Sequence, residues 1–194
     1  MLGLINRSFQ FFVIDTWGVE AWETVASAIG LPFAGFEAML SYDDSALDRV
    51  IDASSALLHR SRFSLMEDLG TYLVAHERQA TVRRLLRFSG ANFTDFLSSI
   101  EELPDRGRLV LPDLDLPGLA LSDLGGGAFR LRCLSPISGA GHVIMGLLRA
   151  MADDYGALVL LEHLGVEGEE EVISIQIADL ELYAARPFSL GISA

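Results

Sequence analysis

The 194-residue chain holds a single cysteine, Cys133. One thiol cannot close an internal disulfide, so the fold must rest on packing, as expected of a protein in the reducing cytoplasm. Basic side chains are also few: 14 Lys and Arg stand against 27 Asp and Glu, a net charge of −13. With a sequence pI of about 4.6, that balance excludes a polyanionic partner such as nucleic acid, whose binding depends on neutralising phosphates. No stretch approaches the roughly 20 uninterrupted apolar residues of a membrane span. The opening from Met1 to Arg7 has neither a basic lead into a long apolar run nor a small-residue cleavage site, so secretion is not expected. There is no internal repeat and no low-complexity linker.

The signatures of reactive sites are missing as well. The sequence shows no Ser-His-Asp order, paired-carboxylate motif or nucleophile elbow, so no enzyme is expected. No two of the four histidines have the four-residue spacing of a helical zinc site, and Cys133 has no neighbouring thiol; no metal site is expected. His59, beside Arg60 and Arg62, reads as a helix-end cation; His142 opens a helix; His163 lies in a strand with no recognisable partner. Gly125 to Gly127 lack the Lys-Ser/Thr that would follow in a phosphate loop and read as a hairpin turn. The acidic run Glu167 to Glu171 reads as a solvated loop, with a docking surface as the alternative.

What is abundant is apolar surface. At 51% hydrophobic residues, the chain is long enough for one well-packed domain. Residues 2–30 read as two helices, split at Trp17-Gly18 and stopped by Gly30 and Pro32. A short helix is predicted over 34–40, and a longer one, capped by Asp44 or Ser45, carries Leu47, Val50, Ile51, Leu57 and Leu58. Ser64 and Glu67 fit a capping box for the helix bearing Leu65, Leu69, Tyr72, Leu73 and His76. Another helix follows over 78–88. In the second half, 119–123 and 128–134 make a hairpin, 142–155 a helix, and 158–164 and 172–177 two strands. Helices first and strands later give an α+β domain with a mostly antiparallel sheet. We take 1–194 as a single domain, with a helical amino-terminal lobe over 1–60 and cavity-forming helices and sheet over 61–194.

The stretch from Asn92 to Ile137 is the most informative. Phe93, Phe96, Leu97, Ile100 and Leu103 make one apolar helical stripe, closed at Pro104. A segment with Pro112 and Pro117 follows, then the glycine turn, then a strand in which Phe129, Leu131 and Cys133 alternate with Arg130 and Arg132. In phase with its apolar neighbours, Cys133 reads as a core residue rather than a redox thiol. This order resembles the heme-nitric oxide/oxygen binding (H-NOX) family, the sensor domain also found in soluble guanylate cyclases. The openings Leu2-Gly3-Leu4-Ile5-Asn6 and Gly18-Val19-Glu20-Ala21-Trp22 are similar to that family too. In the family a Leu-His ends the helix and supplies the proximal iron ligand, and Y-x-S-x-R on the strand holds the heme propionates. Here Pro104 stands at the histidine position, and Cys133, Ser135 and Ile137 stand at the Tyr, Ser and Arg positions.

The resemblance implies an H-NOX-like fold, heme as the family cofactor with Pro117 among the cofactor-binding residues, and a cavity bordered by Ile5, Phe9, Leu73, Phe96, Ile100 and Leu147. It also implies a signalling partner, since bacterial members resembling this chain commonly act on histidine kinases or cyclic-di-nucleotide enzymes. Three functional readings follow. The standard heme site has degenerated and the domain regulates a partner, with another apolar ligand in the cavity. Heme is held through His76, whose helix the resemblance places across the cavity from the usual ligand. Or the chain is a scaffold without a ligand.

Overall fold

The computed structural model describes residues 3–31, 35–43, 45–87, 90–110 and 116–178. The first helices, α1 (Gly3–Trp17) and α2 (Val19–Ala28), meet at Gly18, whose φ of 93° lies where a side chain is strained. They pack with α3 (Ser45–Leu58) and α4 (Arg62–Ala75) around Phe9, Phe12, Val13, Trp22, Val50 and Ile51. Leu65, Met66, Leu69 and Tyr72 of α4 complete this core, so it extends past residue 60.

Two local expectations in the amino-terminal helices need correction. The helix predicted over 34–40 does not form across 35–40, which is turn and bend; Ala34 lies outside the described residues. Side chains satisfy the backbone there instead: Phe36 N–H donates to Gln10 Oε1 (2.8 Å) and Glu37 N–H to the Tyr42 hydroxyl (2.8 Å). The cap of α4 is Ser61, whose Oγ accepts from Ser64 N–H at 3.1 Å, and Glu67 pairs with Arg149 on another helix. The box pattern at Ser64 was one turn late.

A 3-10 turn (Glu77–Gln79) leads into α5 (Ala80–Arg87), and Asn92 caps α6 (Phe93–Ser98) by accepting from Asp95 N–H at 2.9 Å. Pro104 does not close the helical path. After a 3-10 turn (Ile100–Glu102) it sits second in α7 (Leu103–Val110), in the first turn, where a missing N–H leaves no bond unmade.

The sheet runs β1-β2-β4-β3, antiparallel throughout, from β1 (Gly118–Gly125), β2 (Ala128–Leu134), β3 (Val159–Glu167) and β4 (Glu170–Ile177). Gly125, Gly126 and Gly127 all have positive φ and turn the first hairpin. The acidic run is no open loop: only Gly168 and Glu169 form the turn, while Glu167 and Glu170 both pair with Arg132. Helix α8 (Ala140–Tyr155), with left-handed glycines at both ends, shares a second core with the sheet through Leu148, Met151, Leu131, Ile173 and Ile175.

Helices α4 and α8 touch backbone to backbone. A Cβ on Gly70 would fall under 3.0 Å from the Val143 carbonyl oxygen, and one on Gly146 under 3.0 Å from that of Glu67. Thr71 Oγ1 donates to the Gly146 carbonyl at 3.3 Å. The contact fixes one helix against the other at the boundary between the two cores.

Candidate functional site

A cavity of about 240 Å³ lies at that boundary. Helical spacing supplies its walls. Met66, Leu69 and Leu73 come from one face of α4, and Ala140, Val143, Ile144 and Leu147 from one face of α8. Leu4, Ile5 and Ser8 of α1, Val82 and Leu86 of α5, and Leu103, Pro104 and Gly107 of α7 close the sides. Leu116, Pro117, Ser135 and Ile137 form the remaining rim.

The wall offers almost nothing polar. Among the described lining residues only Ser8 and Ser135 carry hydroxyls, and none is charged. Both hydroxyls are engaged locally: Ser8 Oγ donates to the Leu4 carbonyl (2.9 Å), and Ser135 Oγ accepts from Ile137 N–H (3.1 Å). A water inside would find few partners.

The structure brings together Ile5, Leu73, Pro104, Pro117, Ser135, Ile137 and Leu147 on this wall. It places the other residues singled out from the sequence elsewhere. Phe9 is buried in the helical core, and Phe96 and Ile100 in the sheet-bearing core, because their helix faces turn to those cores. Leu69, Val143 and Ile144 were missed, although their spacing from Leu73 and Leu147 was a usable signal.

His76 is not on the wall. It caps the end of α4 outside the cavity, stacked on Tyr72 at 4.6 Å, with Nδ1 accepting from Arg78 N–H at 3.3 Å and 3.7 Å from Asp15. Tyr72 donates to Asp15 Oδ2 at 2.7 Å; burial first, then the Asp15 carboxylate, pushes its phenol up to about 12. Tyr72 and Asp15 thus link the helical core to His76, which lies at its edge outside the cavity.

Cys133 lies in the sheet core, 1% exposed, and burial aided by nearby Glu171 pushes its thiol up to about 12. It should resist alkylation in the native state at pH 8 and react fully in denaturant, with mass spectrometry as the readout. Between the unfolded value of 9.0 and about 12, the unfolded chain loses this proton while the folded chain keeps it. The contribution of the neutral thiol is therefore complete below pH 9 and declines as pH rises toward 12.

A comparison with protein families matches residues 2–163 to the Haem-NO-binding family model. The chain belongs to the Haem-NO-binding family. Soluble guanylate cyclase 89Da of Drosophila melanogaster is 22% identical over 172 residues, which cover 89% of this chain and 26% of the cyclase. Guanylate cyclase soluble subunit beta-2 of Rattus norvegicus is 24% identical over 92 residues, 47% of this chain and 14% of that protein. The chain thus spans about a quarter or less of the curated relatives it matches. The Haem-NO-binding domain is a sensor module rather than a catalytic one. Among solved structures, an H-NOX protein from S. oneidensis in the Fe(II)NO ligation state aligns at TM-score 0.77 and 17% identity, covering 92% of this chain and all of that one. The unliganded Fe(II) H-NOX protein from K. algicida aligns at TM-score 0.74 and 20% identity, covering 92% and 97%. These likenesses show the same α+β fold.

Heme is the cofactor of the Haem-NO-binding family, and the residues of this cavity do not fit it. Pro104, buried on the wall, offers no donor, and no imidazole, thiolate or phenolate lines the cavity among the described residues. The thioether of Met66 is the one soft donor there. Among the described residues no cation lines the cavity to pair with propionates, and an unpaired buried carboxylate costs several kcal/mol.

Proposed function

We propose that this domain is a regulatory sensor of the Haem-NO-binding family whose cavity takes a small apolar molecule in place of standard heme. The observation that carries the reading is the cavity itself, about 240 Å³ and walled by apolar side chains that include Pro104 and Ile137. An engineered cavity of about 150 Å³ accepts benzene, whereas pockets for drug-sized ligands start near 300 Å³. The volume therefore suits one or two rings or a short alkyl chain, uncharged. Heme ligation by His76 lacks geometric support, because that side chain lies outside the cavity. The output is a cytoplasmic signalling partner, a histidine kinase or a cyclic-di-nucleotide enzyme by family resemblance.

Thermal shift with benzene, indole and 1-heptanol tests the ligand reading, since a ligand binding only the folded state raises Tm by mass action. A saturable rise with at least one probe is expected, and Leu147→Trp, which fills the cavity from α8, should reduce it at least tenfold in apparent affinity. No saturable shift with any probe, or one that Leu147→Trp leaves unchanged, would favour a scaffold without a ligand.

A further inference from the structure

Outside the cavity, three chemistry-bearing side chains far apart in sequence converge where α8 starts. His142 lies on the first turn of α8, His163 on β3 and Glu171 on β4. One ligand atom from each lies within 4.8 Å of the others. His163 Nε2 is 2.8 Å from Glu171 Oε2, and the two imidazoles stack with centroids 4.2 Å apart and planes 8° apart. Phe63 stacks on the His142 ring at 4.6 Å. His163 and Glu171 are sheltered, their side chains 16% and 13% exposed.

We propose that His142, His163 and Glu171 form a binding site for one divalent transition-metal ion, best matched by Zn²⁺, which ties α8 to the β3–β4 hairpin. Two imidazoles and a carboxylate are a borderline donor set suited to zinc, and three protein ligands leave a fourth position for water. Bonds of about 2.0–2.2 Å put donors around a tetrahedral ion about 3.3–3.6 Å apart; since the ring planes now lie 8° apart, one imidazole must rotate out of the stack to aim its in-plane lone pair at a shared ion.

The surroundings support the assignment. Gly139 N–H donates to Glu171 Oε1 at 3.0 Å and orients the carboxylate, a role expected of groups behind a metal ligand. Glycine at 141 leaves room for that carboxylate, since a Cβ there would lie 2.8 Å from Oε2. A simple His163–Glu171 hydrogen bond would explain those two residues alone. It leaves both ring nitrogens of His142 without a hydrogen-bond partner among the described residues, although the ring is half-buried in the same cluster. Metal binding at His163 Nε2 moves the ring proton to Nδ1 and releases the Gly165 N–H now 3.2 Å away. Gly165 lies at the register shift of β3, with φ 104°.

The test uses untagged protein, stripped with a chelator and titrated with Zn²⁺ against a chromogenic competitor, and with Co²⁺ followed by visible absorption. One equivalent should bind, and Co²⁺ should give the intense bands of a four-coordinate site. His142→Ala and Glu171→Gln should each weaken Zn²⁺ at least tenfold, whereas the His59→Gln, His76→Gln double variant should leave affinity unchanged. Glu171→Gln keeps an acceptor for Gly139, so it separates loss of a ligand from loss of a helix cap. The pale spectrum of six-coordinate Co²⁺ in the unmodified protein would overturn the site without reference to any variant. So would Zn²⁺ affinity that persists in both single variants, which would assign it to other surface groups.

Discussion

Gly146→Ala is expected to destabilise the protein by about 3 kcal/mol, the upper end of what overpacking costs, because the new methyl meets backbone rather than a movable side chain. Its Cβ would fall under 3.0 Å from the Glu67 carbonyl oxygen, and relief requires sliding α8 away from α4. That movement would also disturb Leu148 and Met151, which anchor α8 in the sheet core. Against a total stability of about 5–15 kcal/mol the loss is large, roughly 6–12 °C in Tm for a chain of this length. The sign is diagnostic. In an unobstructed helix the same change favours folding by about 1 kcal/mol, through helix propensity. Gly70→Ala, which meets the Val143 carbonyl from the other helix, should behave alike. Urea unfolding of each variant provides the measurement; a midpoint equal to or above that of the parent would mean the helices are not in backbone contact.

That contact shows what was hidden in the sequence. Apolar periodicity revealed α8 and the four strands, though not their order in the sheet, because each half-buried element repeats its pattern several times. It also marked Ile5, Leu73 and Leu147, which reach the cavity. It could not separate them from Phe9, Phe96 and Ile100, since a stripe shows that a face is buried and not which of two cores it meets. Pro104 looked like a helix stop because proline is forbidden in helix interiors. A short 3-10 turn before it makes position 104 part of a new first turn, where proline is at ease. The three-residue cluster of His142, His163 and Glu171 was invisible for another reason. Its members come from three elements, and only the antiparallel pairing of β3 with β4 and the seat of α8 bring them together. Spacing rules for zinc sites look along one segment and miss such a set.

Heme provides the second large effect. The unmodified protein, expressed with heme available, should show no spectrum of five-coordinate histidine-ligated heme, because the wall at 104 carries no donor. Pro104→His alone should recover little. An imidazole would then face the cavity, but the propionates would still meet Ile137 and a hydroxyl already held by backbone. Adding Ile137→Arg should raise heme retention by more than the sum of the single changes, since ligand and counter-ion act on one bound group. Cys133→Tyr completes the family pattern on the strand, yet Cys133 is buried in the sheet core and absent from the cavity wall. A tyrosine there must first displace core packing, so its benefit should appear only after the other two changes, with a lower Tm as its companion. Space is the remaining obstacle. At about 240 Å³ the cavity is smaller than pockets for drug-sized ligands, and Leu147→Ala on top of Pro104→His and Ile137→Arg should increase retention again. The readout is the Soret band per protein after gel filtration. Stoichiometric heme in the unmodified chain, lost in His76→Ala, would sink this account and establish ligation from the end of α4.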